Sequence, residues 1–168
     1  MKNPFFMFHV FMFHSPMSHA AIQSLSPGDH VIIAGFGVPG RAVAEVLREH
    51  GMRYSVIELN SEISTRCARI GHNMVAGDVR QEATLLAAGL RETSLVILAI
   101  PSDAIVLEAV LVIRRLHPTV PIIARCNFIS AGMQATQHGA QEVVVGEEIM
   151  AREMSRLVES RFLPVRQP

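Results

Sequence analysis

The chain has no tryptophan, one tyrosine (Tyr54) and one lysine (Lys2) in 168 residues. Fourteen of its fifteen basic residues are arginine. A Walker-type phosphate lysine, a Schiff-base lysine and a lysine general base are therefore excluded from the body of the chain. A surplus of charge is missing too: fifteen basic and fifteen acidic residues cancel, which argues against a nucleic-acid partner, whose binders carry a basic excess. Cysteine is scarce. Cys67 and Cys126 lie far apart, on an expected helix and at an expected strand end, and read as buried free thiols of a reducing cytosol. No Cys-x-x-Cys occurs, and the eight histidines fall at no zinc-ligand spacing.

What is present is apolar and regularly punctuated. Hydrophobic residues make up 49% and charged residues 18%, the balance of one well-buried α/β domain. Residues 1–28 differ in kind. Phe5, Phe6, Phe8, Phe11 and Phe13 are five of the eight phenylalanines, interleaved with His9 and His14 in a run too short to cross a bilayer. This segment is expected to be a disordered tail, or to precede a start that is really Met17; an aromatic arm for a partner or a membrane is the alternative. Residues 29–160 are expected to form the domain, and 161–168 a C-terminal tail.

The domain is organised around Val31-Ile32-Ile33-Ala34-Gly35-Phe36-Gly37-Val38-Pro39-Gly40. A β-branched run enters Gly-x-Gly-x-x-Gly, and helical periodicity follows, which spells strand, tight turn, helix. In a dinucleotide fingerprint Gly35 permits the turn, Gly37 lets a pyrophosphate approach the backbone and Gly40 brings the helix close to the sheet. The helix N-terminus then offers free N–H groups and about half a positive charge, and Pro39 fits a first helical turn. Such a turn alone is a weak signal. It gains weight from Tyr54-Ser55-Val56-Ile57-Glu58, a strand ending in an acid that follows Gly35 by 23 positions, close to the ~20 expected of a carboxylate on the ribose hydroxyls.

The remaining spacing predicts helices over 41–50, 61–70, 80–88, 104–116, 129–137 and 147–160, with strands over 53–58, 73–76, 95–100, 120–125 and 142–145. Asn60 or Ser61 caps the second helix and Ser102 or Asp103 the fourth. Six alternating strands with an early fingerprint predict a doubly wound, parallel Rossmann sheet of order 3-2-1-4-5-6. A ligand should then lie across the carboxyl ends of strands 1 and 4, lined by Gly35 to Gly40, Glu58, Gly77-Asp78 and Ala99-Ile100-Pro101.

Asp29 to Gly37, Val56-Ile57-Glu58-Leu59-Asn60, Gly77-Asp78, Leu85 to Leu90, Ile122 to Arg125 and His138 to Val144 together resemble the RCK N-terminal (TrkA-N) domain. This is the nucleotide-sensing regulator of Trk/Ktr potassium uptake systems and of Kef-type efflux antiporters, and the Kef-type domains look most similar. The likeness covers roughly residues 29–155. It implies a Rossmann domain that dimerises and binds an adenine nucleotide, either NAD(H) or AMP/ADP. It also implies that the domain relays that state, without catalysis, to a membrane potassium channel or antiporter at the cytoplasmic face; with no transmembrane segment ahead of the domain, that partner is expected on a separate chain. Carried over by position, Gly35, Phe36, Gly37, Val38, Pro39 and Gly40 hold the phosphates, Glu58 with Leu59 and Asn60 the adenosine ribose, and Asp78 with Val79 the adenine. Ala99 and Ile100 line the cleft, and Arg125 lies near the cleft or a dimer seam. Helix 147–160 corresponds to a crossover helix that packs on the partner subunit.

Two departures bear on the ligand. Val38 stands where the family commonly has a phosphate-binding arginine, which disfavours ATP, and Asn60 replaces a second acid. Glu58 would repel a 2′-phosphate, which disfavours NADP. The rival reading is a small NAD-dependent oxidoreductase. It needs a substrate pocket and a proton donor, yet Tyr54, His72 and His117 are expected away from the cleft.

Overall fold

The computed structural model describes residues 24–163; the aromatic N-terminal stretch and the last five residues lie outside them. In chain order the elements are β1 (His30–Ala34), α1 (Val38–Glu49), β2 (Arg53–Glu58), α2 (Ser61–Arg69), β3 (Met74–Ala76), α3 (Glu82–Ala87), β4 (Leu95–Leu98), α4 (Asp103–Leu116), β5 (Ile122–Cys126), α5 (Ile129–Gln137), β6 (Glu142–Val145) and α6 (Gly146–Phe162). The six strands form one sheet in the order β3-β2-β1-β4-β5-β6, and each adjacent pair is parallel. This is the doubly wound Rossmann arrangement that the alternating pattern predicts.

Side-chain alternation on β1 divides the interior in two. Ile32 and Ala34 enter the larger core with Val96, Leu98, Ile122, Ala124 and the α4 residues Val106, Ala109 and Val110. Val31 and Ile33 point the other way, to Ala44 and Leu47 of α1, Val56 of β2 and Cys67 of α2. Each buried aliphatic side chain contributes about 1.5–3 kcal/mol, so β1, with Val31, Ile32 and Ile33 fully buried, anchors both layers. The second layer is thinner over β4–β6, where Ile97 and Ile123 are half-buried and Val144 is exposed.

Several element ends differ from the spacing, each for a local reason. Helix α1 begins at Val38, not at residue 41, because Gly37 is its N-cap and Pro39 is accepted within the first turn. Helix α3 begins at Glu82, not at residue 80, because the Gln81 N–H closes a turn on the Asp78 carbonyl at 3.0 Å. Strand β4 stops at Leu98, and β5 runs from Ile122 to Cys126 rather than 120–125. Asn60 caps α2, its Oδ1 accepting from the Glu62 and Ile63 N–H groups at 2.9 and 3.1 Å. Ser102 caps α4. Asp103 instead ties two loops together, its Oδ1 accepting from the Asn127 N–H and Nδ2 at 2.8 and 2.9 Å.

Arg114 on α4 has no carboxylate partner among the described residues. Its Nε and Nη2 donate to the Gly139 carbonyl at 3.0 and 2.8 Å, and its Nη1 donates to the Val120 carbonyl at 2.6 Å. One planar fork thereby satisfies the carbonyls that flank β5 and lead into β6. Burial lowers its affinity for the proton.

Candidate functional site

The strand order reverses between β1 and β4, and in doubly wound sheets the crevice for ligands forms at such a switch point, outside the carboxyl ends of the strands. Its floor is the glycine turn. Gly35 has φ +92°, and a Cβ there would lie 3.0 Å from the Ala99 carbonyl oxygen. At Gly40 a Cβ would sit 2.0 Å from the Gly35 carbonyl oxygen, so only glycine lets α1 approach β1 this closely. Gly37 is unlike both. Its φ of −70° suits any residue, and a Cβ would meet nothing nearer than Pro39 Cδ at 4.0 Å. Packing within the chain thus requires the first and third glycines and leaves the second facing open space at the N-terminus of α1. Backbone N–H groups there lack intrahelical partners, so the turn fits an anionic group such as a diphosphate.

Glu58 reaches back into this mouth from the end of β2. Its Oε2 accepts from the Phe36 N–H and its Oε1 from the Asn60 N–H, both at 2.9 Å. The carboxylate is therefore held beside the glycine turn, with lone pairs left for hydroxyl donors. Val38 and Leu59 flank it, 77% and 67% exposed.

The other expected lining residues divide by what they expose. The side chains of Phe36, Val79 and Ala99 are buried in the core and offer the crevice only their backbone. Phe36 stands edge-on to the His72 ring, centroids 4.8 Å apart, and His72 Nδ1 is hydrogen-bonded to the Tyr54 hydroxyl at 2.8 Å. Burial and the nearby Arg48 charge hold His72 below the usual histidine range. Gly40 is buried beneath the turn, and Asn60 spends its side-chain oxygen on the α2 cap. Ile100 is half-buried against the larger core. Arg125 sits at the end of β5 with Nη2 on Asn127 Oδ1 at 3.1 Å, and Asn127 Nδ2 reaches the Pro101 carbonyl at 2.6 Å.

Asp78 ends the third strand's turn and is engaged by Arg80, whose Nη2 meets Oδ2 at 2.6 Å; Arg80 Nη1 meets Glu108 Oε2 on α4 at 2.9 Å. Hydrogen bonds from Arg80 hold the Asp78 carboxyl below the usual carboxylate range. Sequence spacing gives Arg80 no role. Its proximity to Asp78 is visible in the chain, but Glu108 lies 28 positions on and only the fold brings it near.

The fold and this mouth define a Rossmann domain with a glycine-rich first turn and an acid closing the second strand. The chain belongs to the TrkA-N domain family, whose family model matches residues 31–146. It is 30% identical over 132 residues to YbaL of Escherichia coli K12, named as a cation/proton antiporter, a match covering 79% of this chain and 24% of YbaL. It is 30% identical over 115 residues to KefB of Alkalimonas amylolytica, named as a potassium efflux antiporter, covering 68% of this chain and 17% of KefB. The chain thus spans a quarter or less of these relatives. The solved TrkA-N domain of YbaL superposes with a TM-score of 0.74 at 30% identity, over 78% of this chain and 97% of that one. GsuK bound to ADP superposes at 0.73 and 27% identity, over 83% of this chain and 36% of that one. The GsuK channel has also been solved with NAD, with a TM-score of 0.72 at 27% identity, over 81% of this chain and 24% of that one.

Proposed function

We propose that this chain is a non-enzymatic regulatory module of a potassium transport system that senses an adenine nucleotide, NAD(H) or AMP/ADP. The observation that carries the reading is the pairing of an open Gly37 with a Glu58 carboxylate turned into the same mouth. The diphosphate would rest on the amides of the turn, Glu58 would take the ribose hydroxyls, and Asp78 would face the adenine. With Val38 in the turn, no arginine follows the second glycine to meet a third phosphate, so ATP fits less well. The ADP and NAD complexes of GsuK support a nucleotide of this class.

Tyr54 and His72 bond to each other beneath the turn, and His117 Nδ1 accepts from the Val120 N–H. These bonds favour a sensor over an oxidoreductase, which would need a proton donor facing the cleft. The output partner is a membrane potassium channel or antiporter, acting from its cytoplasmic face. Among the described residues no helix is long and apolar enough to cross a membrane. A second copy of the chain would cover α6 and the thin layer over β4–β6, and the nucleotide would shift that assembly only by its difference in affinity between two arrangements.

Calorimetric titration of the chain with NAD, NADH, AMP, ADP and ATP tests the reading. One nucleotide per chain is expected, with ATP the weaker. Glu58→Ala should cost about 1.5–3 kcal/mol of affinity, the worth of hydrogen bonds to a charged group. Absence of binding by all five would refute it.

A further inference from the structure

Glu58 and Asp78 close neighbouring strands, since the Gly77 N–H donates to the Glu58 carbonyl at 3.0 Å. Two carboxylates beside the seat of an anionic ligand oppose its binding, and the glycine turn carries Val38 rather than a cation. Among the described residues the cation paired with one of these two acids is Arg80, through Asp78. Its N–H and Nε reach Asp78 Oδ1 at 2.9 and 3.1 Å, its Nη2 reaches Oδ2 at 2.6 Å, and its Nη1 holds Glu108. The Asp78 side chain is only 18% exposed, so solvent and salt screen the contact less than they would a surface pair. Arg41, in the first turn of α1, is exposed and makes no ion pair with either acid among the described residues.

We propose that Arg80, acting through Asp78, fits this mouth to phosphate-bearing ligands. The proposal rests on the nucleotide reading above. Arg80 is a positioning residue: it offsets the charge of Asp78 and occupies most of its lone pairs. Its Nε is shared between Oδ1 and Oδ2, both at 3.1 Å, so the Arg80 N–H, Nε and Nη2 together make four hydrogen bonds to the two carboxylate oxygens.

The test compares adenosine, which is uncharged, with ADP, by titrating the folded 168-residue chain with each. The readout is the ratio of their dissociation constants, because a loss of base contacts alone moves both ligands together. Arg80→Gln is expected to weaken ADP relative to adenosine by roughly tenfold, as removal of one nearby compensating charge implies, and Arg80→Lys should recover most of that loss. Asp78→Asn with Arg80→Gln should restore the ratio, since acid and base leave together. Thermal melting confirms that each variant is folded. An unchanged ratio in Arg80→Gln would overturn the proposal. So would a ratio that stays low in the double variant, which would mean direct contact between Arg80 and phosphate. Failure of the unaltered chain to bind either ligand would instead overturn the nucleotide reading, and the proposal with it, before any variant is compared.

Discussion

Gly37 and Gly40 lie three positions apart and differ in what holds them as glycine. At Gly40 the neighbour is the backbone of Gly35, which cannot yield without moving β1 or α1. Gly40→Ala should therefore lower stability by about 3 kcal/mol, the upper end of ordinary overpacking. At Gly37 the space is open, and the loss of a good cap is offset by a stiffer unfolded chain, so Gly37→Ala should change stability by only about 0.5 kcal/mol. The added methyl would project where a diphosphate approaches, weakening nucleotide binding roughly tenfold or more. Urea denaturation and calorimetry on the two variants separate these outcomes. The motif and the cap at Asn60 were legible in the sequence because each depends on neighbours a few positions away, and the acid at position 58 because the length of one βα unit fixes its distance from the first glycine. The division of labour among the glycines was legible as well, and the structure adds the atoms that enforce it: the Ala99 carbonyl against Gly35 and the Gly35 carbonyl against Gly40. The inward burial of Phe36 and Val79 was hidden, since it depends on core residues distant in the chain.

Helix α6 is the element whose sequence and surroundings disagree. It spans Gly146–Phe162 with Glu147 and Glu148 in its first turn and Arg161 in its last, an arrangement that suits the helix dipole. Met150, Met154, Leu157 and Val158 recur at helical spacing, yet none is buried. Helices of this length draw most of their stability from packing an apolar face, so the stripe fits the cover that the second copy in the proposed assembly would supply. Leu157→Asp should leave the melting temperature of the separated chain unchanged and shift sedimentation equilibrium from two chain masses to one. Undisturbed dimers, or a single-chain mass before substitution, would remove the helix from the interface. Periodicity revealed this stripe, but it cannot tell an intramolecular partner from an external one. Arg114 shows the opposite case: an arginine in an apolar helix reads as a surface residue, and only the fold brings the Gly139 carbonyl to it.

At the scale of the whole molecule, each face of the sheet carries one histidine in a polar pair, His30 with Ser55 and His72 with Tyr54, which makes stability sensitive to acid. His30 bonds to Ser55 Oγ at 2.9 Å; burial and then the Arg53 charge lower its pKa from the ordinary 6.5, against a smaller opposing pull from Glu92. His72 is lowered by burial and Arg48. In both cases the unfolded chain takes up the proton more readily. Stability is therefore complete above about pH 6.5 and declines as the pH falls below it, toward the folded-state values. Melting temperatures across pH 7.5 to 5.0 should show this fall, and His72→Gln should flatten it. The strand order was legible throughout, because parallel βα units leave few topologies, whereas these histidine contacts join residues distant in the chain. The central claim, that an adenine nucleotide rests on the first βα turn, is tested most directly by a crystal structure of the chain grown with NAD. The account predicts pyrophosphate oxygens within hydrogen-bond distance of the backbone N–H groups of Gly37, Val38 or Gly40 and the adenosine ribose on Glu58. Nucleotide bound elsewhere, with Glu58 directed away from the turn, would contradict it.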